Sequence, residues 1–296
     1  MKIDNVNNIA IVGLGMMGAS LAAALKAKSF NGKIYGYSRN QNTCSELIEK
    51  NIIDYASVDL IESVKEADII IMCLPIDLII EKTNEIFDYL KSGSILTDIG
   101  STKKEIVDSL DNKFKNSDKF FVGSHPICGS EKSGYQFLND KLFEDKLTVL
   151  CSSKDVSSSV LKKIESFWKI VGSKTIYLEA SLHDKKLAVT SHLPHILSSL
   201  LIDVFGKYQS DELDENIQNF CGTGFFDVSR LASGSSDIWK DIISTNSKEI
   251  IHQLEILEES VKELRELITI KDDKKIISWL KSTSELRNEI ISNNGF

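Results

Sequence analysis

Cysteine is sparse and has no motif. The five residues Cys44, Cys73, Cys128, Cys151 and Cys221 are odd in number, widely spaced and free of any CxxC pair. That speaks against a disulfide framework or a zinc site and for a reducing compartment. An excess of positive charge is also missing. Lys and Arg number 35 against 43 Asp and Glu, for a net charge of −8, which excludes a general nucleic-acid binder, since that needs a basic surface to neutralise phosphates. Any anionic ligand must therefore be held by a few local cations. The polar start, residues 1–8, leads straight into a strand pattern and does not read as a signal peptide, and no apolar run approaches a membrane span. The expectation is a cytoplasmic protein with neither a membrane nor a nucleic-acid partner.

What is present is ordinary in composition and specific in order. The chain's 296 residues, 42% hydrophobic and 26% charged, suffice for two domains with separate cores. Residues 8–12 form a short, nearly all-apolar run of the kind buried on both faces of a parallel sheet. Gly13-Leu14-Gly15-Met16-Met17-Gly18 and a helical Ala/Leu pattern follow. This is GxGxxG between a strand and a helix. Its first glycine permits the tight turn, the second lets a pyrophosphate approach the backbone, and the third lets helix and strand pack closely. The free N–H groups at the helix start favour the phosphate charge. Gly13, Gly15, Met16, Met17 and Gly18 are therefore expected to bind a dinucleotide.

The second strand, residues 33–37, ends in Ser38-Arg39-Asn40 with no acidic residue to accept from a ribose hydroxyl. Ser38 can donate a hydrogen bond and Arg39 can supply charge to a 2′-phosphate, so of NAD and NADP the residues lean to NADP. A helix is expected at 42–50, and strands at 67–74 and 94–99. Strands alternating with helices at this spacing give a parallel, doubly wound sheet. Leu74, Pro75 and Ser101 fall at strand carboxyl ends on the rim of the glycine turn, where the nicotinamide is expected. Ser101 serves equally well as a helix N-cap. A further strand at 119–122 leads into Gly123-Ser124-His125-Pro126-Ile127-Cys128-Gly129-Ser130-Glu131-Lys132-Ser133-Gly134, read as a loop that presents His125. An imidazole there can exchange a proton near neutral pH, though a lone His in a turn is also an ordinary surface residue. Strands at 147–151 and 175–178, with a helix at 156–171 between them, end the sheet.

Beyond about residue 180 the strand signals stop. One long helix is expected over 181–208, bent at Pro194. It carries His192 and His195, three apart and near one face. With no acidic residue at a suitable interval, hydrogen bonding to an oxygen-rich ligand or a satisfied core imidazole is the reading, not a metal site. The Gly-rich segment 221–239 holds a single Arg, Arg230, whose partner is Asp227, Asp237 or a substrate carboxylate. Long helices at 243–270 and 274–291 close the chain. Two domains follow: a Rossmann-type α/β domain, 1–179, and an all-α domain, 180–296, whose apolar surface suits dimer formation.

Taken in order, GLGMMGAS at Gly13 to Ser20, DIGSTK at Asp98 to Lys103, SHPICGSEKSG at Ser124 to Gly134, HD and then SHLPH between His183 and His195, and GTGF leading to Arg230 and Trp239 closely resemble the prephenate/arogenate dehydrogenases of tyrosine biosynthesis. The resemblance covers nearly the whole chain. It implies oxidative decarboxylation of prephenate to 4-hydroxyphenylpyruvate with hydride transfer to NAD or NADP, and a homodimer formed through the helical domain. It also implies that His125 polarises or deprotonates the substrate's C4 hydroxyl and that Ser101 hydrogen-bonds to that hydroxyl and orients His125. Arg230 would hold a substrate carboxylate, His192 and His195 would line the pocket, and Glu131 and Asp227 would form an acidic network around Arg230. Arogenate is the alternative substrate, and a dinucleotide-sensing protein without turnover is the remote alternative. Two departures stand out. Gly234-Ser235-Ser236 replaces the family's frequent Ser-Asp-Pro, and Ser38 replaces the Asp of many NAD-using members.

Overall fold

The computed structural model describes residues 3, 6–129, 132–152, 155–212 and 216–294. They fall into two compact units, Met1–Ser247 and Lys248–Phe296.

The first unit is built on one sheet. Its strands are β1 (Asn8–Val12), β2 (Lys33–Tyr37), β3 (Tyr55–Ser57), β4 (Ile69–Met72), β5 (Ile95–Asp98), β6 (Phe120–Pro126), β7 (Leu147–Cys151) and β8 (Lys174–Tyr177), in the order β3-β2-β1-β4-β5-β6-β7-β8. The central strands are apolar and buried on both faces, as in Ile69–Met72, because helices cover both sides. These are α1 (Met16–Ala27), α2 (Gln41–Glu49), α3 (Leu60–Val64), α4 (Ile76–Ile86), α5 (Lys104–Lys115) and α6 (Ser158–Ile170). One apolar layer gathers Ile9, Ile11, Leu21, Leu25, Ile69 and Trp168, and the other Ala10, Val12, Ile70, Ile79, Leu96 and Leu110. The doubly wound Rossmann-type sheet expected from sequence is present.

Two readings of this half change. His125 does not lie in a loop. Strand β6 runs on through Gly123, Ser124, His125 and Pro126 because β7 pairs with those four residues, antiparallel, with His125 opposite Val149. The pairing reverses here because, among the described residues, no α-helix links β6 to β7. The connection carries only a 3-10 turn at Tyr135–Phe137, whereas a parallel return needs a full crossover. All other neighbours in the sheet are parallel.

The helical remainder of this unit begins with α7 (Ala180–Leu187), a π-turn at Ala188–His192, and α8 (Leu193–Glu212). The bend expected at Pro194 takes the form of this widened turn just before it. Proline offers no N–H and crowds the preceding turn, and a π-turn relieves both. By length and composition Ala180–Gln209 is long and apolar enough to cross a membrane, which corrects the expectation that no such run exists. Its buried His183, Asp184 and His192 make polar contacts with the sheet half and the helices that follow, and its buried His195 stacks on Trp239. Next come α9 (Thr223–Ser229), a 3-10 turn at Arg230–Ser233, and α10 (Ser236–Thr245). The helix expected to run from 243 is broken at Asn246, where α10 ends.

The second unit consists of two helices, α11 (from Ser247, within the first unit, to Thr269) and α12 (Asp273–Asn294). Its turn is closed by Asp272, whose N–H donates to the Leu267 carbonyl and whose carboxylate accepts the Lys275 N–H at 3.1 Å.

Candidate active site

The glycine turn after β1 is sterically committed. Gly13 has φ +103°, and a Cβ there would lie 2.3 Å from the Cys73 carbonyl oxygen and 2.9 Å from Leu74. A Cβ on Gly18 would lie 2.0 Å from the Gly13 oxygen. On Gly15 it would meet nothing within 4 Å, so that glycine faces open space. No side chain caps α1 and no acidic residue stands in its first turn. The N–H groups of Met16, Met17 and Gly18 find no backbone acceptor among the described residues. Backbone N–H groups without a backbone acceptor at a helix start, beside a glycine that leaves room for close approach, fit a pyrophosphate. Leu74 abuts the same turn, and Pro75 starts α4 beside it. At the end of β2, Ser38 Oγ accepts the Asn40 N–H at 3.2 Å, and Arg39 is exposed with no ion-pair partner among the described residues.

The centre of the site is a set of buried polar groups joined end to end. His125 Nδ1 lies 2.8 Å from His183 Nε2, and His183 Nδ1 lies 2.7 Å from Asp184 Oδ1. The two carboxylate oxygens of Asp184 accept the backbone N–H groups of Lys103 (2.8 Å) and Lys104 (2.9 Å) at the start of α5. A carboxylate at that end complements the helix dipole. Asp184 therefore caps α5, and the role of N-cap considered for Ser101 is not realised. Ser101 is half-buried, and its hydroxyl has no partner among the described residues. The Lys103 ammonium, fully buried, is paired with Asp98, which also accepts from the N–H groups of Gly100 (2.8 Å) and Ser124 (3.1 Å). The Ser124 hydroxyl is fixed between Thr97 at 2.7 Å and the Trp168 indole N–H at 3.0 Å.

The helices carry the network onward. Asn246 Nδ2 donates to the Asp184 carbonyl at 2.9 Å and lies 3.1 Å from His192 Nδ1. Its place at the break after α10 follows from these two bonds. His192 meets the Trp239 ring edge-on, and His195 stacks on the same ring with centroids 3.5 Å apart. A Cβ on Gly234 would lie 2.7 Å from both His195 and Trp239, so the glycine at this departure from the family pattern leaves room for the stack. Ser198 Oγ accepts the Ala232 N–H at 2.9 Å and ties the turn bearing Arg230 to α8.

Burial pushes His125 well below its ordinary value of 6.5, aided by the positive charge of His183, Lys103 and His192 when these carry it. Burial likewise lowers His192 to about 4, against the opposing charge of Asp184, and lowers His195. At neutral pH these three are uncharged imidazoles.

The structure thus brings His125, His192 and His195 into one connected set and places Arg230 on a turn tied to it. Arg230 and Asp227 are both exposed and form no ion pair with one another, nor does Arg230 pair with Asp237; the intrachain partners considered from sequence are not used. Glu131 lies outside the described residues. His183, Asp184, Lys103, Asp98 and Asn246 were not singled out from sequence, although the first two form the HD pair and the next two are the last and first residues of the DIGSTK segment.

The family model described as "Prephenate dehydrogenase, nucleotide-binding domain" matches residues 21–177, and "Prephenate dehydrogenase, dimerization domain" matches 179–282. The chain is 31% identical to a prephenate dehydrogenase of Lactococcus lactis, over 95% of this chain and 77% of that one. Among solved structures it is similar to the prephenate dehydrogenase of Aquifex aeolicus in complex with hydroxyphenyl propionate and NAD+, with TM-score 0.89, 32% identity, and 97% and 99% of the two chains covered. It is also similar to Synechocystis arogenate dehydrogenase, with TM-score 0.83, 27% identity and coverage of 95% and 99%.

Proposed function

The chain belongs to the prephenate dehydrogenase family, and from that premise we propose that it oxidatively decarboxylates prephenate to 4-hydroxyphenylpyruvate in tyrosine biosynthesis. It is an NAD(P)-dependent dehydrogenase. The observation that carries the proposed chemistry is a neutral, buried His125 hydrogen-bonded through Nδ1 and without a partner at Nε2 among the described residues.

In this reading Gly13, Gly15, Met16, Met17 and Gly18 hold the pyrophosphate, with Leu74, Pro75 and Ser101 along the same rim. The coenzyme supplies a hydride acceptor. His125 Nε2 accepts the proton of the C4 hydroxyl as hydride leaves C4, while the electron pair of the bond to CO₂ enters the ring. The proton then returns to the phenolic oxygen, because prephenate dianion and oxidised coenzyme give the keto-acid anion, CO₂ and reduced coenzyme with no net proton. Ser101 donates to or accepts from the same hydroxyl. Aromatisation drives the reaction, so the protein's task is alignment and one proton transfer. Arg230 holds a substrate carboxylate, His192 and His195 line the pocket, and Glu131 and Asp227 form the acidic surround of Arg230. The working division is 1–179 for coenzyme and 180–296 for substrate and homodimer formation, in the cytoplasm.

Arogenate, which bears an amino group where prephenate has a keto group, is the second reading, favoured by the likeness to the Synechocystis enzyme. For the coenzyme we favour NADP, on an Arg39 with no carboxylate partner among the described residues and a Ser38 where an acid would repel phosphate. Steady-state assays of both substrates with both coenzymes test all of this. Turnover of prephenate with NADP preferred is expected, and Ser38→Asp should shift preference toward NAD. Coenzyme binding with no turnover of either substrate would leave the dinucleotide-sensing alternative.

A further inference from the structure

We infer that His183 and Asp184 are positioning residues which decide that Nε2, not Nδ1, of His125 is the proton acceptor. The inference rests on the base assigned to His125 above and deepens it. A carboxylate can only accept hydrogen bonds. Asp184 Oδ1, 2.7 Å from His183 Nδ1, therefore requires the proton of that ring on Nδ1. A neutral His183 then has its lone pair on Nε2, 2.8 Å from His125 Nδ1, and the proton of His125 must lie on Nδ1. The lone pair is left on His125 Nε2. Tautomer choice passes from a carboxylate through one imidazole to the next, by the rule that the partner of one ring nitrogen sets the state of the other.

The surroundings hold this chain in place from both ends. Asp98 accepts the Ser124 N–H beside His125 and pairs with the Lys103 ammonium, while the Lys103 N–H donates to Asp184. The contacts close a ring: Asp98, Ser124, His125, His183, Asp184, Lys103 and back to Asp98. Apart from His125, 9% exposed, no member is more than 1% exposed. Lys103 has its own counterion in Asp98, so Asp184 is left to orient His183. When His125 takes up its proton, the Asp184 charge lies behind it through one intervening ring, as in other base-and-orienter pairs. Nothing in the ring other than His125 takes the substrate proton.

The full chain tests this in three variants beside a control. His183→Phe removes the acceptor for His125 Nδ1–H and keeps a ring in the space. His183→Gln restores an acceptor oxygen. Asp184→Asn keeps the shape but removes the charge and replaces a group that can only accept by an amide that can also donate, so the tautomer of His183 is no longer dictated. With prephenate, His183→Phe and Asp184→Asn are expected to lower kcat by ~10²–10⁴-fold, the usual worth of a general base, with KM and coenzyme affinity nearly unchanged, and His183→Gln to regain part of the loss. Nitrogen NMR of the labelled imidazoles should show the His125 proton on Nδ1 in the parent and a mixture of the two tautomers in Asp184→Asn. If Asp184→Asn fails to fold, because it also weakens the α5 cap, the His183 pair decides. A His183→Phe enzyme with parental kcat, a His183→Gln enzyme no better than His183→Phe, or a parental His125 carrying its proton on Nε2 would overturn the inference. The control is His125→Asn: if it keeps full turnover, the base assignment itself fails, whereas its loss beside an active His183→Phe removes only the positioning role.

Discussion

An imidazole that is to accept a proton must arrive without one, and burial secures this for His125 at a cost in acid. His125 is held well below 6.5 and His192 at about 4 in the folded chain, while both return to about 6.5 on unfolding. Between those values the unfolded chain binds more protons than the folded one, so stability rises with pH there. The contribution is complete above about pH 6.5 and is lost progressively as the pH falls, with His192 alone accounting for about 3 kcal/mol by about pH 4. Urea unfolding at about pH 7.5 and about pH 5 should show the lower stability at the acid value, and His192→Gln should flatten that difference. A second outcome belongs to Arg230. Exposed and without a carboxylate partner among the described residues, it is the proposed holder of a substrate carboxylate, and on that proposal Arg230→Gln should chiefly raise KM and leave kcat within a few fold. An unchanged KM in steady-state assays would remove it from substrate binding. His125 and Arg230 were legible because each stands alone in a Gly- and Ser-rich segment. His183 and Asp184 were not, because their meaning depends on a residue 58 positions earlier in the chain and on a helix start 80 positions earlier, and no local pattern records that proximity. Lys103 stood in the sequence only as the last residue of the DIGSTK segment, and the fold shows it fully buried against Asp98.

At the scale of elements, the strand-turn-helix at the amino end was legible, since the glycine spacing between an apolar run and a helical pattern marks the turn. The structure separates the three glycines by what each excludes, and this gives a paired expectation. Gly15→Ala adds a methyl into open space, so the protein should fold with nearly unchanged Tm yet bind coenzyme more weakly, as read by titration calorimetry. Gly18→Ala puts the methyl 2.0 Å from a carbonyl oxygen. It should lower Tm as well, because backbone rather than a flexible side chain must move. Equal thermal losses in the two variants would show that the turn is a packing device and not a phosphate cradle. Less legible was the end of β6. Gly, Ser and Pro around His125 read as a loop because those residues weaken strands in isolation, but pairing with β7 overrides that preference and mounts His125 on the sheet. The break at Asn246 escaped notice for a similar reason: the helix stops where the Asn side chain bonds Asp184 and His192, and apolar spacing is blind to such bonds.

On the scale of the molecule, the Lys248–Phe296 unit raises a question about its own stability. Helix α11 buries one residue, Ile250, and α12 shows none buried among its described residues. Ile256, Val261, Ile268, Trp279 and Leu280 are each between 45 and 59% exposed. Two helices of 23 and 22 residues with so little buried apolar surface gain little from one another to offset the entropy of ordering them. Exposed apolar side chains in this density mark an interaction surface in a soluble protein. The family model matched at residues 179–282, described as a dimerization domain, supports a second copy of the chain as the partner. The unit should accordingly be ordered in full only when paired. Sedimentation is expected to give a dimer, with Tm rising with protein concentration because dissociation accompanies unfolding. The double variant Ile256→Glu, Trp279→Glu should yield a monomer whose far-UV helicity falls, while the coenzyme fold of the sheet half keeps its affinity. A wild-type chain that sediments as a monomer with its helicity intact would mean that the two helices are stable without a second copy and that their apolar faces serve some other contact.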